Sequence, residues 1–215
     1  MLCYYSAAKA EKRTLLVVFS LCCYFCMKDI EIEIQSRVEN IKPLLDLLEK
    51  EGEFVLDDHQ KDEYYTPVHR DFFATKPIDE WLRVRESGKH SITYKNWHHR
   101  IDGRSNHCDE FETVVEDAQQ IRNIFKVLDI KPIITVDKYR RSWNHGKYEV
   151  SIDEITGLGS FVEVEYKAHG QVDPDQIAKE MIQYLKDIGV GKVEINYVGY
   201  PYLLIYGTEG YFEEV

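Results

Sequence analysis

The chain has 215 residues, 44% of them hydrophobic, enough to bury a sizeable core in one large domain. Its formal net charge of -11 excludes a general binder of nucleic acid or anionic membrane, since those partners reward clustered cations. Four of the five cysteines (Cys3, Cys22, Cys23 and Cys26) crowd the first 26 residues and leave only Cys108 in the body, so no disulfide framework follows and a reducing cytosol suits the domain.

Lys9, Lys12 and Arg13 precede the apolar run T-L-L-V-V-F-S-L-C-C-Y-F-C-M, which ends at Met27. The run is shorter than the roughly 20 residues of a membrane span. It has the outline of a signal-peptide core, but no small-residue cleavage site follows it. Residues 1–26 therefore read as an upstream extension or mis-set start, with an anchor or export signal as the alternative. The domain is expected over 27–206, with 207–215 as an acidic tail.

From Lys28 to Val38 the residues alternate, with Glu31, Glu33, Gln35 and Arg37 on one face and Ile32, Ile34 and Val38 on the other, the period of a strand. Asn40 then caps a predicted helix with an apolar stripe of Ile41, Leu44, Leu45 and Leu48, stopped by Gly52. Three later strand-like runs carry cations: W-L-R-V-R (Arg83, Arg85), I-T-Y-K (Lys95) and D-K-Y-R (Lys138, Arg140). A second helix is expected near Asp117, with Ile121, Ile124, Phe125 and Leu128 inward. In F-V-E-V-E-Y the alternation returns with Glu163 and Glu165 opposite Val162 and Val164. A third helix starts at Asp173-Pro174, buries Ile177, Met181, Leu185 and Ile188, and closes at Gly189.

Strands interrupted by helices give an α+β class with a dominant antiparallel sheet. Strand faces bearing Glu, Arg and Lys are untenable in an apolar sandwich. Unless they face bulk solvent they line a wet cavity, and closing the sheet makes one without exposed edges. Carboxylates for hard divalent cations beside guanidinium and ammonium groups for phosphate oxygens are the chemistry a polyphosphate ester requires. Plainer readings exist for each residue. Glu31 and Glu33 alone would suit the solvated face of an edge strand, Arg83 and Arg85 would suit surface ion pairs, and Asp153 would suit the turn I-T-G-L-G, whose glycines suggest a hairpin. His98, His99, His107 and Cys108 fit no standard zinc spacing.

The motifs taken in order resemble the CYTH, or triphosphate tunnel metalloenzyme, superfamily, and within it the class IV adenylyl cyclase branch. The resemblance covers about Asp29 to Tyr202. It rests on Glu31-Ile32-Glu33-Ile34-Gln35 for the signature E-x-E-x-K, H-Q-K-D-E-Y-Y at 59–65, W-L-R-V-R at 81–85, I-T-Y-K at 92–95 and D-E-F-E-T at 109–113. D-K-Y-R at 137–140, the run from Ser151 to Glu165 and a tail containing Tyr200 complete it. It implies a closed antiparallel eight-stranded β-barrel with flanking helices, open as a tunnel. It places Mg²⁺ or Mn²⁺ on Glu31, Glu33, Asp153, Glu163 and Glu165, and a triphosphate on Arg83, Arg85, Lys95, Lys138 and Arg140. Lys95, Lys138 and Arg140 are the candidate catalytic residues among these. Gln35 takes a phosphate-binding position where the signature has lysine, and Glu110 with Glu112 forms a further acidic pair. His59 either positions substrate or makes a structural hydrogen bond. The implied activity is conversion of ATP to 3′,5′-cyclic AMP and pyrophosphate. The alternative is hydrolysis of tripolyphosphate, thiamine triphosphate or a nucleotide, and a third reading is a non-catalytic polyphosphate-binding module. The expected partner is a triphosphate, with no nucleic acid or membrane, in a cytoplasmic protein for which a homodimer is the candidate assembly.

Overall fold

Alternating side chains build most of the molecule. The computed structural model describes residues 29–99, 105–169 and 172–215; the expected extension at 1–26 lies outside them. In chain order the elements are β1 (Asp29–Val38), α1 (Lys42–Glu51), β2 (Glu53–Pro67), β3 (Glu80–Glu86), β4 (Ser91–His99) and β5 (Ser105–Val114). They continue with α2 (Ala118–Val127), β6 (Ile130–His145), β7 (Tyr148–Ile155), β8 (Gly159–His169), α3 (Pro174–Ile188), β9 (Val193–Asn196), α4 (Tyr200–Tyr206) and β10 (Phe212–Glu214). The strands β1-β5-β4-β3-β2-β6-β7-β8 pair in that order, all antiparallel, and β8 returns to β1. This closes a ring of eight strands that is not evenly round. Glu33 lies opposite Glu165 across the closing seam, and Gln35 opposite Glu163. β9 pairs with Gln35–Val38 of β1, and β10 pairs with β9, so the expected acidic tail contributes a strand.

The ring is polar inside and apolar outside. Ile32 and Ile34 of β1 and Val162 and Val164 of β8 point outward, against Leu44 and Leu48 of α1 and Met181 and Leu185 of α3. Each such side chain contributes roughly 1.5–3 kcal/mol when fully buried. α2 covers β2 and β3 by setting Ala118 and Phe125 on Tyr65 and Val84. α4 packs Tyr200 and Leu203 on Val136, Ile155 and Phe161.

The helices follow the predicted stripes with instructive departures. In α1 Asn40 accepts from the Lys42 amide at 3.1 Å, while Ile41 holds the capping position. Gly52 is required there by space, because a Cβ would stand 2.6 Å from the Leu48 carbonyl oxygen and 3.1 Å from Trp143. Asp117 caps α2 by accepting from the amides of Gln119 and Gln120. Ile124 and Leu128 are nevertheless 48% and 57% exposed, against expectation. Ala118, Ile121 and Phe125 already form the face on the sheet; Ile124 lies about a third of a turn away, and Leu128 lies past the last helical residue. α3 matches its prediction, from the Asp173 cap to Gly189 at φ +85°. Gly157 and Gly159, both at φ +86°, make the hairpin between β7 and β8. α4 forms within the segment expected as a tail around Tyr200.

Candidate functional site

The residues facing into the ring enclose one cavity of about 790 Å³. Three adjacent strands, β8, β1 and β5, supply an acidic arc of Glu163 and Glu165, Glu31 and Glu33, and Glu110 and Glu112. Facing it, β4 supplies Lys95, β3 Arg83 and Arg85, and β6 Lys138 and Arg140. β2, between β3 and β6, adds Gln60 and Tyr64. Seven glutamates and seven lysines or arginines line the cavity in all.

The cations are held by carboxylates. Lys95 Nζ is 2.6 Å from Glu31 and 3.1 Å from Glu33, with Glu110 at 3.9 Å. Arg83 donates to Glu112 at 3.0 Å and to Thr93 at 2.9 Å. Arg85 donates to both oxygens of Asp62. Arg140 donates through Nε and a terminal nitrogen to the two oxygens of Asp153, at 2.7 and 2.6 Å, and reaches Glu163 at 2.9 Å. Lys138 adds a bond to Asp153 at 3.3 Å. Gln35 donates to Glu33 at 3.2 Å and to Glu163 at 3.1 Å, and accepts from Asn196 at 3.1 Å.

Burial and crowding shift the ionisations apart. Burial pushes Glu33 up to about 7, and the charges of Glu163 and Glu31 add to the shift against the pull of Lys95. Burial likewise raises Glu165 to about 8, helped by the charge of Glu31, and Glu110 to about 8, where the hydrogen bond to Glu31 adds. Burial also opposes ionisation of Glu31, but Lys95 and hydrogen bonds from Glu110 and Glu165 outweigh it and hold Glu31 well below the ordinary carboxylate range. On the other arc, burial and then the Arg140 charge lower Lys138 to about 8. Asp153, although buried, is brought down to about 2 by Arg140 and Lys138.

The predicted residues therefore meet around one cavity, with two exceptions. Asp153 is fully buried on β7 behind the basic arc, where Arg140 and Lys138 occupy its oxygens. It is a strand residue, not part of the turn. His59 points away from the cavity, bonds Asp137 at 2.7 Å and stacks on Tyr139 at 4.4 Å. Asp62, which is not among the predicted residues, is 1% exposed and sits beneath Arg83 and Arg85.

Oxygen donors crowded so closely that burial and mutual repulsion oppose their ionisation are suited to a hard divalent cation, which would take the place of their protons. As the side chains stand, no three or more His, Cys, Asp or Glu among the described residues are arranged to hold a metal ion. The carboxylates are turned instead to Lys95, Arg140, Gln35 and Lys167.

Fold and site together define a closed β-ring tunnel with opposed acidic and basic walls. The CYTH domain family model matches residues 29–195. A Methanocaldococcus jannaschii protein named "Putative adenylate cyclase MJ0240" is 34% identical over 168 residues, which span 77% of this chain and 93% of that protein. The solved PH1819 protein of Pyrococcus horikoshii OT3 shares the fold with a TM-score of 0.69 at 24% identity, covering 83% of this chain and 99% of its own. HpAC1 from Hippeastrum, described as a "putative adenylyl cyclase" with a dominant triphosphatase activity, aligns with a TM-score of 0.57 at 16% identity, covering 83% and 94%. The chain belongs to the CYTH domain family.

Proposed function

We propose that this chain is a divalent-metal-dependent, cytoplasmic adenylyl cyclase that converts ATP to 3′,5′-cyclic AMP and pyrophosphate within the tunnel. The observation that carries the reading is the facing of a five-cation arc by a carboxylate arc across one enclosed polar cavity. Arg83, Arg85, Lys95, Lys138 and Arg140 grip the triphosphate oxygens, the guanidiniums as planar forks. Asp62 and Asp153 fix the basic arc from behind, so its donors need little reorganisation as charge develops on the leaving pyrophosphate. This gives Asp153 a positioning role in place of the metal-ligand role expected from the sequence. Glu31, Glu33, Glu163 and Glu165 would hold Mg²⁺ or Mn²⁺, which supplies Lewis-acid stabilisation and acidifies a bound hydroxyl. The name of the M. jannaschii relative supports cyclisation. The description of HpAC1 supports the second reading, a triphosphatase using the same clamp.

Incubating purified protein and Mg²⁺ or Mn²⁺ with ATP, tripolyphosphate or thiamine triphosphate, and separating the products by chromatography, tests both. Cyclic AMP with pyrophosphate is the expected outcome. Orthophosphate would establish the triphosphatase, tight binding without turnover would establish a binding module, and no binding of any triphosphate would overturn the reading.

A further inference from the structure

One buried polar group in the tunnel wall has no use in the clamp described above. Tyr200, the first residue of α4, is 3% exposed and lines the cavity, and its hydroxyl has no hydrogen-bond partner among the described residues. Leaving such a hydroxyl buried and unpaired costs stability that a phenylalanine would avoid. The ring itself is well held: it packs edge-on against Phe161 at 5.1 Å and sits in a cluster with Val136, Ile155 and Leu203. The backbone that presents it is fixed too, because Asn196 Oδ1 accepts from the amides of Val198 and Gly199 at 3.0 and 3.2 Å, immediately before α4.

The hydroxyl's neighbourhood indicates what it meets. Lys138 Nζ lies 5.3 Å from the Tyr200 ring centroid. On β2, in register with Lys138, Gln60 is 3% exposed and its side-chain oxygen is also without a partner. Two unsatisfied polar side chains thus flank one buried lysine of the basic arc, in which Arg83 Nε is also left without an acceptor. Burial, with the charges of Asp153 and Glu163, keeps the phenol protonated, so it is a donor buried in the wall of the cavity.

We propose that the Tyr200 hydroxyl donates a hydrogen bond to a phosphoryl oxygen of the bound triphosphate beside Lys138, making Tyr200 a further substrate-contacting residue. The proposal rests on the triphosphate reading of the tunnel. Its ligand is an acceptor-rich phosphate chain, common to ATP and tripolyphosphate.

The test compares the full chain with its Tyr200→Phe variant. Equilibrium binding of tripolyphosphate and of α,β-methylene-ATP, each with Mg²⁺, is measured beside the thermal midpoint of the ligand-free proteins. The expected result is about ten-fold weaker binding of both probes, the size of one hydrogen bond to a charged acceptor. The ligand-free midpoint should stay level or rise, because no protein hydrogen bond is lost. Unchanged binding would overturn the assignment while leaving the triphosphate reading intact. Weaker binding with a lowered ligand-free midpoint would also overturn it, by showing that the hydroxyl serves the fold. If the unaltered protein binds neither probe, the triphosphate reading fails and the Tyr200 assignment falls with it.

Discussion

Arg85 donates to both carboxylate oxygens of Asp62, at 2.6 and 2.7 Å, and the same carboxylate lies 3.6 Å from Arg83. One buried aspartate on β2 thereby orients both guanidiniums of β3 toward the cavity. A fork fixed from behind retains donors for a second planar acceptor in front, which is the geometry phosphate recognition uses.

Asp62→Asn should therefore weaken the fold and the clamp together. Removing one partner of a buried pair costs about 3–5 kcal/mol, read as a lowered midpoint in urea or heat. Despite burial, Arg85 and Arg83 hold the Asp62 carboxyl far below its ordinary range. A depressed folded pKa means that the unfolded chain takes up the proton first as pH falls. The stabilisation is then complete above about pH 4, the unfolded carboxylate value, and is lost progressively below it. Unfolding measured across acid pH should show this loss in the native chain and a shallower one in Asp62→Asn. Equal slopes would remove Asp62 from its supporting role.

Replacing the acidic arc should separate catalysis from stability. Glu33 is raised to about 7, so Glu33→Gln imitates a form the ligand-free protein already populates near neutrality and should leave the thermal midpoint nearly unchanged. Activity should fall at least about ten-fold, the order expected when a metal site is impaired, and chelation should abolish what the native protein has. Glu163→Gln should lose activity similarly but also cost about 1–3 kcal/mol, the size of one weakened buried hydrogen bond, because Glu163 pairs with Arg140 at 2.9 Å while Asp153 still holds that arginine. Full activity of both variants in chelator would defeat the metal reading.

Much of this site was legible from period two. Glu31 and Glu33, Arg83 and Arg85, and Lys138 and Arg140 each recur at a spacing that only a strand turns to one side, and the structure puts all six on the cavity. The same rule, applied to H-Q-K-D-E-Y-Y, sets Gln60, Asp62 and Tyr64 inward and His59 outward, so Asp62 was available and His59 was excluded on parity alone. What alternation does not carry is depth. Asp153 has the spacing of a lining residue, yet it is fully buried, its oxygens covered by Lys138 and Arg140, which line the cavity in its place. α4 was hidden for another reason: Y-P-Y-L-L-I-Y is short and aromatic, and its helix depends on packing against Val136, Ile155 and Phe161 rather than on propensity.

Gln35 is where the chain departs from the family signature, and the structure shows what the amide does there. Its nitrogen bridges Glu33 of β1 and Glu163 of β8, while its oxygen accepts from Asn196. A lysine would replace this neutral bridge with a charge that reaches farther into the cavity. Charge-assisted hydrogen bonds contribute about 1.5–3 kcal/mol against about 1 for neutral ones, a difference of roughly ten-fold in affinity. Gln35→Lys is expected to raise triphosphate affinity or kcat/KM by about that factor. Gln35→Ala should lower it modestly and loosen the seam between β1 and β8. Both are to be measured at one ionic strength, because a charged tunnel is sensitive to salt. If the lysine lowers activity while alanine is silent, position 35 serves the two carboxylates and not the phosphate. The triphosphate pose carried over from the family signature would then be wrong for this chain.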